Sequence, residues 1–226
     1  MDKHTVISLK NANIYQNDTP VLSDVNLQIQ SGEFVYLIGK TGSGKSSLLR
    51  TFYGDLSLKE GEGEIAGFDL RKLKNSEIPY LRRKLGIVFQ DYQLLMDRTA
   101  EQNLKFVLKA TGWKNQADMD ERIDQVLEKV GLLNKKNKLP HQLSGGEQQR
   151  LAIARALIND PEIILADEPT GNLDPETTSE ILQLLVDICH TGRTFVIATH
   201  DYTLFQMFNS RTLKCDTGKI LDSDLL

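Results

Sequence analysis

The chain contains no apolar run as long as a membrane-spanning helix, which needs about 18–20 residues. Its first ten residues, MDKHTVISLK, also lack the apolar stretch that is typical of a secretion signal. From these two absences we expect a protein that stays in the cytosol unless a partner holds it at a membrane.

Cysteine is scarce, and an excess of positive charge is missing. The two cysteines, Cys189 and Cys215, lie far apart in the sequence and fit no zinc-binding or redox spacing. We interpret them as structural thiols in a reducing compartment. The 27 basic and 31 acidic residues leave a net charge of −4, which provides no electrostatic basis for binding nucleic acid. We therefore predict no nucleic-acid partner.

What the chain does contain is enough sequence for a sizeable core. Its 226 residues, 40% of them hydrophobic, predict one domain with room for an inserted subdomain. Three short apolar runs, 34–38, 163–166 and 195–198, predict parallel strands buried on both faces. Helical patterns alternate with these runs, and this alternation favours a parallel α/β sheet. The predicted helices are 45–53, 100–109, 119–130, 147–159 and 176–189.

Three regions depart from the alternation. Residues 6–9 and 25–29 are strand-like, with a turn signal at 17–20 between them, and predict an antiparallel sheet edge at the N-terminal end. Residues 90–144 have mostly helical patterns and predict a helical insertion. Residues 212–221 predict a β-hairpin.

One glycine-rich stretch matches a phosphate-binding loop. Residues 39–46 read GKTGSGKS, which fits G-x-x-x-x-G-K-[ST] between a predicted strand and a predicted helix. The glycines allow backbone N–H groups to turn toward phosphate oxygens, and the start of the helix adds positive potential. We expect Lys45 to reach the β- and γ-phosphates and Ser46 to hold Mg²⁺. The predicted nucleotide-binding residues of this loop are Gly39, Lys40, Thr41, Gly42, Ser43, Gly44, Lys45 and Ser46.

Two carboxylates follow the predicted strand 163–166. Asp167 is expected to support the Mg²⁺ shell, and Glu168 is a candidate general base for an attacking water. Kinases and GTPases share such elements, so these residues alone do not define the reaction. A GTPase should show N-K-x-D, and residues 137–140, NKLP, fail at the last position.

Residues 143–150 read LSGGEQQR, in which a glycine pair precedes a predicted helix. Ser144 is suited to cap that helix, and the N–H groups of Gly145 and Gly146 would then face a phosphate. A flexible entry to the helix is the plainer interpretation. A second phosphate-binding element would contact either the chain's own nucleotide or that of another copy. The second arrangement implies a two-fold dimer that shares two ATP molecules.

This octet resembles the signature sequence of ABC-transporter ATPase subunits, and the resemblance covers nearly the whole chain. It implies an α/β fold: a RecA-like P-loop core with an N-terminal antiparallel β subdomain and an inserted helical subdomain. It also implies ATP hydrolysis with Mg²⁺ by a homodimer in the ATP-bound state, in which each P-loop faces the other chain's signature residues. Those residues are Leu143, Ser144, Gly145, Gly146, Glu147 and Gln148.

The same resemblance implies roles for other positions. Tyr15 looks like the aromatic residue that stacks on adenine, and Gln90 looks like the Q-loop glutamine. Leu173 and Asp174 resemble the D-loop, and His200 resembles the switch histidine near the γ-phosphate. The resemblance therefore implies metal ligands at Ser46, Gln90 and Asp167, catalytic residues at Glu168, His200 and Gln90, and a nucleotide-binding role for Ser47, where the family more often has threonine.

Residues 73–83 and 89–99 are similar to the FtsE subfamily of cell-division ATPases. This similarity implies an FtsX-like integral membrane partner and a peripheral position on the cytoplasmic side of the bacterial inner membrane. It also implies a role in cell division and in the control of cell-wall hydrolases. The surface near residues 90–99, with Leu94, Leu95 and Met96, is then expected to dock a cytoplasmic helix of the partner. Core packing of these three residues is the alternative.

Two other functions stay open on the sequence. The chain could be the ATPase of a lipoprotein-release or macrolide-export transporter, or a soluble nucleotide-binding regulator without turnover. In each case we expect a single domain over residues 1–226. Residues 1–90 and 159–226 would form the core with its β subdomain, and residues 91–158 would form the helical subdomain that carries the signature.

Overall fold

Two β-sheets and seven α-helices form the part of the chain that the structure describes, which is residues 4–223 without the side chains of residues 205 and 206. The structure is a computed structural model. The predicted domain also includes residues 1–3 and 224–226, which lie outside the described range. Within that range, no helix combines the length and the apolar character that crossing a membrane requires.

A six-stranded sheet lies at the centre of the fold. Neighbouring strands are parallel except for the terminal hairpin, which confirms the three predicted buried strands and the predicted hairpin. All five residues of the strand at 34–38 are buried, as expected for a strand covered on both faces. In sheet order the strands are Lys219–Asp222 (β10), Arg211–Asp216 (β9), Phe34–Ile38 (β3), Thr194–Thr199 (β8), Ile163–Asp167 (β7) and Leu85–Val88 (β6).

A four-stranded antiparallel sheet covers one side of the core, which confirms the predicted antiparallel edge. Its order is Thr19–Gln30 (β2), Thr5–Gln16 (β1), Glu60–Ile65 (β4) and Phe68–Asp69 (β5). The sequence did not indicate β4, because EGEGEI alternates glutamate with glycine and has a single apolar residue. Gly61 fits there because a Cβ at this position would lie 2.4 Å from the carbonyl oxygen of Asn11.

Seven helices connect and cover the sheets. The five predicted helices are present with shifts of up to three residues at their ends, and the stretch 90–144 is helical without a strand, as predicted. The helix Ile78–Lys84 and the strand β6 were not predicted, because the strand LGIV follows the helix directly without a turn signal. The short elements β5 and Leu204–Met207 were not predicted either. The helices are Lys45–Phe52 (α1), Ile78–Lys84 (α2), Ala100–Ala110 (α3), Gln116–Lys129 (α4), Gly145–Leu157 (α5), Pro175–Cys189 (α6) and Leu204–Met207 (α7), with short 3₁₀ turns at Leu133–Lys135 and Pro140–Gln142.

The central sheet separates two hydrophobic cores. On β3, Phe34 and Tyr36 point into the core that packs against α3–α6, whereas Val35 and Leu37 point into the core shared with α1 and the antiparallel sheet. This alternation follows from the two-residue period of a strand. Cys189 and Cys215 are free and buried, and burial raises the pKa of their thiols to about 11 and about 12. The prediction of structural thiols is confirmed.

A buried asparagine shapes the loop that follows β6, an edge strand of the six-stranded sheet. The side chain of Asn103 is 1% exposed, and its carbonyl oxygen accepts a hydrogen bond of 2.9 Å from the N–H of Leu95. Its amide nitrogen donates to the carbonyl oxygens of Leu95, Arg98 and Thr99, each at 3.0 Å. The side chain of Asn103 therefore supplies hydrogen bonds to residues 95–99, which have no regular secondary structure to supply them.

We predict that Asn103→Ala lowers the free energy of unfolding by about 1–3 kcal/mol, because it leaves buried N–H and C=O groups without partners. Urea denaturation measures this change. The control is Gln125→Ala, whose exposed amide bonds Glu121 one helical turn away, and which should change stability by less than about 0.5 kcal/mol. Equal effects of the two substitutions would contradict the role given to Asn103.

Candidate active site

Nine of the predicted site residues line a cavity of about 270 Å³ at the carboxyl edge of the parallel sheet, whereas Tyr15, Asp167, the D-loop and the signature residues are not among its lining residues. This edge collects them because β3, β7 and β8 run in the same direction, with Ile38 opposite Thr199 and Asp167 opposite Ala198. The loops that leave the three strands therefore begin side by side. The cavity is lined by Gln16, Thr41, Gly42, Gly44, Lys45, Ser46, Ser47, Arg50, Gln90, Glu168 and His200.

The loop 39–46 wraps around the start of α1. Gly42 and Gly44 have φ angles of 81° and 100°, which L side chains rarely adopt. A Cβ on Gly39 would lie 2.6 Å from the carbonyl oxygen of Cys215, so this position needs glycine for space as well. The buried ammonium group of Lys45 donates to the carbonyl oxygens of Gly39 at 2.7 Å and Lys40 at 3.3 Å. The loop thus holds its own cation inside the curve where a phosphate chain fits.

The carboxylate of Glu168 lies at the base of this cavity. Its Oε1 is 2.8 Å from Nδ1 of His200 and 4.0 Å from the Lys45 ammonium. Its Oε2 accepts a hydrogen bond of 3.1 Å from the hydroxyl of Thr199. The backbone of Glu168 is left-handed, with φ of 47°, and its N–H donates to the carbonyl oxygen of Ala198 at 2.8 Å. These contacts fix a carboxylate that is 12% exposed beside the phosphate loop.

Asp167 is the residue best placed to support a metal. Its Oδ1 is buried and has no hydrogen-bond partner, and the hydroxyl of Ser46 bonds the same carboxylate. Burial raises the pKa of Asp167, and the Ser46 hydrogen bond and the Lys45 charge oppose that rise. Within residues 4–223 no group of three His, Cys, Asp or Glu side chains could hold a metal. Mg²⁺ bound through phosphates needs only one or two carboxylates, so Asp167 and Ser46 fit this ion.

Gln90 follows β6 and reaches the same cavity from the opposite side. Its side chain is exposed and lines the cavity, and its backbone carbonyl oxygen accepts a hydrogen bond of 3.1 Å from the amide of Asn172. This bond joins the loop after Gln90 to the segment that contains Leu173 and Asp174. The residues that line the cavity therefore come from five separate segments of the chain: Gln16, 41–50, Gln90, Glu168 and His200.

Tyr15 lies at the end of β1, next to Gln16 at the rim of the cavity. Its ring is half-buried, and the ammonium of Lys59 lies 5.4 Å from the ring centre. Burial raises the pKa of the Tyr15 hydroxyl, with a further contribution from a hydrogen bond to Glu60. The contact of the Tyr15 ring with adenine stays a prediction, and the position of Tyr15 at the rim of the cavity is compatible with that contact.

The signature residues begin α5 and do not line this cavity. The Ser144 hydroxyl accepts from the N–H of Glu147 at 3.2 Å, and the Glu147 carboxylate accepts from the N–H of Ser144 at 2.8 Å, so the helix starts with a capping box. A Cβ on Gly146 would lie 2.6 Å from Cγ2 of Thr177, so packing against α6 already requires a glycine there. A Cβ on Gly145 would have ordinary contacts with Leu173 and Tyr92. Leu143 is buried, and Gln148 donates to its carbonyl oxygen at 3.1 Å.

Asp174 has a structural role in this chain in addition to its predicted place in the D-loop. It caps α6 by accepting from the N–H groups of Glu176 and Thr177, and its Oδ2 accepts from the Thr177 hydroxyl at 2.6 Å. Leu173 is half-buried against the α3–α6 core. Because Thr177 also contacts Gly146, the D-loop and the signature turn are packed together.

Two cavity residues, Gln16 and Arg50, and one residue that bonds a cavity residue, Thr199, were not given a role from the sequence. Gln16 directly follows Tyr15, and Arg50 lies on α1 a turn and a half after Lys45. Thr199 bonds Glu168, although its position at the end of a buried strand was visible. No local pattern points to Gln16.

A phosphate loop next to an Asp–Glu pair, at the carboxyl edge of a parallel sheet, defines a P-loop nucleoside triphosphatase. The protein-family model for ABC transporters matches residues 22–171. The chain belongs to the ABC transporter family as an ATP-binding subunit of FtsE-like type that hydrolyses ATP.

Two relatives and one solved cassette show how far this similarity extends. The chain is 44% identical over 202 residues to the cell division ATP-binding protein FtsE of Mycobacterium tuberculosis, covering 89% of this chain and 87% of that protein. It is 41% identical over 207 residues to FtsE of Streptococcus pneumoniae, covering 92% and 90%. The dimeric bacterial ABC transporter cassette MJ0796 is similar with a TM-score of 0.82 and 37% identity, over 95% of this chain and 96% of that one. A post-hydrolysis state of the same cassette, with ADP and phosphate bound, is similar to the same degree.

We predict that Gly42→Ala weakens ATP binding at least tenfold, because the added methyl group would occupy the space in which the loop curves around phosphate. The matched control is Gly67→Ala in the turn between β4 and β5. Both glycines have φ of 81°, and neither would place a Cβ within 4 Å of another residue.

Both substitutions should therefore lower the free energy of unfolding by the same amount, about 1–2 kcal/mol. Titration with a fluorescent ATP analogue, together with thermal unfolding, measures both quantities. Equal nucleotide affinities for the two variants would contradict the placement of phosphate at Gly42.

Proposed function

We propose that the chain is the ATPase of an FtsE-like complex that acts in cell division, with an FtsX-like membrane protein as its partner. It would couple ATP-driven dimerisation to this partner on the cytoplasmic side of the bacterial inner membrane and so control cell-wall hydrolases. The observation that supports hydrolysis most directly is the fixed carboxylate of Glu168, 4.0 Å from the Lys45 ammonium. The cell-division role rests on the similarity to the FtsE relatives.

Within this proposal the cavity residues divide the chemistry among them. The P-loop amides and Lys45 bind the phosphates, and Glu168 accepts the proton of the attacking water. His200 and Thr199 orient that carboxylate through the hydrogen bonds described above. Ser46, Asp167 and Gln90 would hold Mg²⁺, which neutralises phosphate charge when bound. Tyr15 would cover the adenine.

The signature turn favours a dimer as the active form. Ser144 and Gly145 lie beside the D-loop and away from the cavity of their own chain. For these residues to contact a phosphate, a second copy must bring its P-loop to them, as the two-fold arrangement requires. The proposed helical subdomain, residues 91–158, would move relative to the core, residues 1–90 and 159–226, when this contact forms.

We predict that Glu168→Gln protein becomes a dimer in ATP and Mg²⁺, because it binds ATP without supplying the base that consumes it. Light scattering after size-exclusion chromatography measures the mass. Adding Ser144→Arg should return the protein to a monomer while ATP affinity changes less than threefold, since Ser144 would contact only the other copy's nucleotide.

Two results would contradict this assignment. If Glu168→Gln stays monomeric with saturating ATP, the two-fold sandwich is wrong and a regulator without turnover gains support. If Ser144→Arg weakens ATP binding by the isolated chain, the signature acts on the chain's own nucleotide. Glu121→Gln removes one negative charge at an exposed position on α4 and is the control for the loss of charge in Glu168→Gln.

The loop after Gln90 offers the surface for the membrane partner. Leu94 is buried in the core, so core packing accounts for that residue, whereas Met96 is 53% exposed. Phe106 is 47% exposed nearby, under the guanidinium of Arg98, which lies 4.6 Å from its ring centre. Asn103 bonds the backbone of this loop at Leu95, Arg98 and Thr99. The result is a small apolar surface on a loop that is hydrogen-bonded to α3.

We predict that Met96→Asp reduces recovery of the chain with the FtsX-like protein of its own cell at least tenfold, because a charge replaces the apolar contact. Co-purification in mild detergent measures recovery. Leu221→Asp is the control, since Leu221 is 44% exposed on β10, away from the cavity. Recovery with a lipoprotein-release or macrolide-export permease instead would favour that alternative.

A further inference from the structure

The loop after Gln90 has an unusual backbone. Tyr92 and Gln93 are consecutive residues with φ of 59° and 48°, in the left-handed region that residues other than glycine seldom occupy. Such a conformation persists only where surrounding contacts determine it. Something outside the loop must therefore hold these two peptide groups.

The contact comes from the helix that starts at the signature. The guanidinium of Arg155, in the last turn of α5, donates to the carbonyl oxygen of Tyr92 at 2.7 Å and also to that of Gln93. Burial lowers the pKa of Arg155, and nearby Asp91 opposes this effect. A planar guanidinium matches two adjacent acceptors at once, which a lysine ammonium does not.

The loop touches the same helix at its first turn too. The hydroxyl of Tyr92 lies 3.8 Å from the point where a Cβ on Gly145 would be. On its other side, Asn172 holds the carbonyl oxygen of Gln90. Both ends of α5 therefore contact the short segment whose first residue lines the phosphate cavity.

We propose that Arg155 is a positioning residue for ATP hydrolysis: it fixes Tyr92 and Gln93 against α5 and thereby sets where Gln90 lies in the cavity. A displacement of the signature helix is then transmitted to Gln90 through two hydrogen bonds. The inference rests on the proposed role of Gln90. It adds Arg155 as the residue that connects Gln90 to the signature helix α5.

The chain contains a matched control for this contact. Arg122, on α4, also donates to two adjacent carbonyl oxygens, those of Leu157 at 2.8 Å and Ile158 at 2.9 Å. These acceptors lie at the end of α5 and do not line the cavity. Arg122→Lys and Arg155→Lys thus each replace a guanidinium that donates to two adjacent carbonyl oxygens, at the end of α5 in one case and in the loop after Gln90 in the other.

The experiment measures kcat, KM and the affinity for a fluorescent ATP analogue, with thermal unfolding of each variant. We expect Arg155→Lys to lower kcat at least tenfold while ATP affinity changes less than threefold, and Arg122→Lys to leave kcat within twofold. The loss in melting temperature should be similar for the two. If Arg155→Lys does not fold, Arg155→Gln keeps an amide donor for one carbonyl and provides the same comparison.

A double substitution separates positioning from general loosening of the fold. If Arg155 acts through Gln90, then Arg155→Lys in a Gln90→Ala background should lower kcat no further than Gln90→Ala alone. The inference is overturned if the effects of the two substitutions on kcat multiply in the double variant, or if Arg155→Lys leaves kcat unchanged. It is also overturned if Arg122→Lys lowers kcat as much as Arg155→Lys does. A normal kcat in Gln90→Ala would overturn it as well. The Glu168→Gln protein, measured in the same assay, tests hydrolysis by the proposed base independently.

Discussion

The parallel register of β3, β8 and β7 is the constraint on which the site depends. With Ile38 opposite Thr199 and Asp167 opposite Ala198, the phosphate loop, the acidic pair and His200 all begin at one level of the sheet. A slip of one residue in β7 would turn Asp167 and its neighbours to the opposite face, because side chains alternate along a strand. The burial of β3, β7 and β8 on both sides makes such a slip costly, since it would exchange the two cores.

The sequence predicted those parts of the fold and site whose determinants are local. The phosphate loop depends on glycines that precede a helix, and the strands at 34–38 and 163–166 appear as continuous apolar runs. The strand β4 was not predicted because its alternating glutamates and glycines include only one apolar residue. The bonds from Thr199 to Glu168 and from Arg155 to Tyr92 join segments 31 and 63 residues apart, and no local pattern contains them.

The glycine pair at 145–146 shows how one motif can satisfy two requirements. Thr177 leaves no room for a side chain at Gly146, so the fold of a single chain already requires that glycine. Gly145 would have only ordinary contacts, with Leu173 and Tyr92, and packing does not explain its lack of a side chain. If another molecule approaches this turn closely, the lack of a side chain is therefore needed for that approach at Gly145 more than at Gly146. The sequence pattern alone could not distinguish the two positions.

The groups that would act on ATP already have partners within the chain. Lys45 bonds the carbonyl oxygens of its own loop, and Glu168 bonds His200 and Thr199. Since these bonds hold the side chains in place, a phosphate that bound as proposed would meet a cavity that needs little reorganisation, and low reorganisation is what makes fixed dipoles effective in catalysis. Asp167 differs, because one buried oxygen has no partner and burial disfavours its charge. A cation beside that oxygen would remove this unfavourable state, so a bound metal would stabilise the site at an atom that has no partner within the chain.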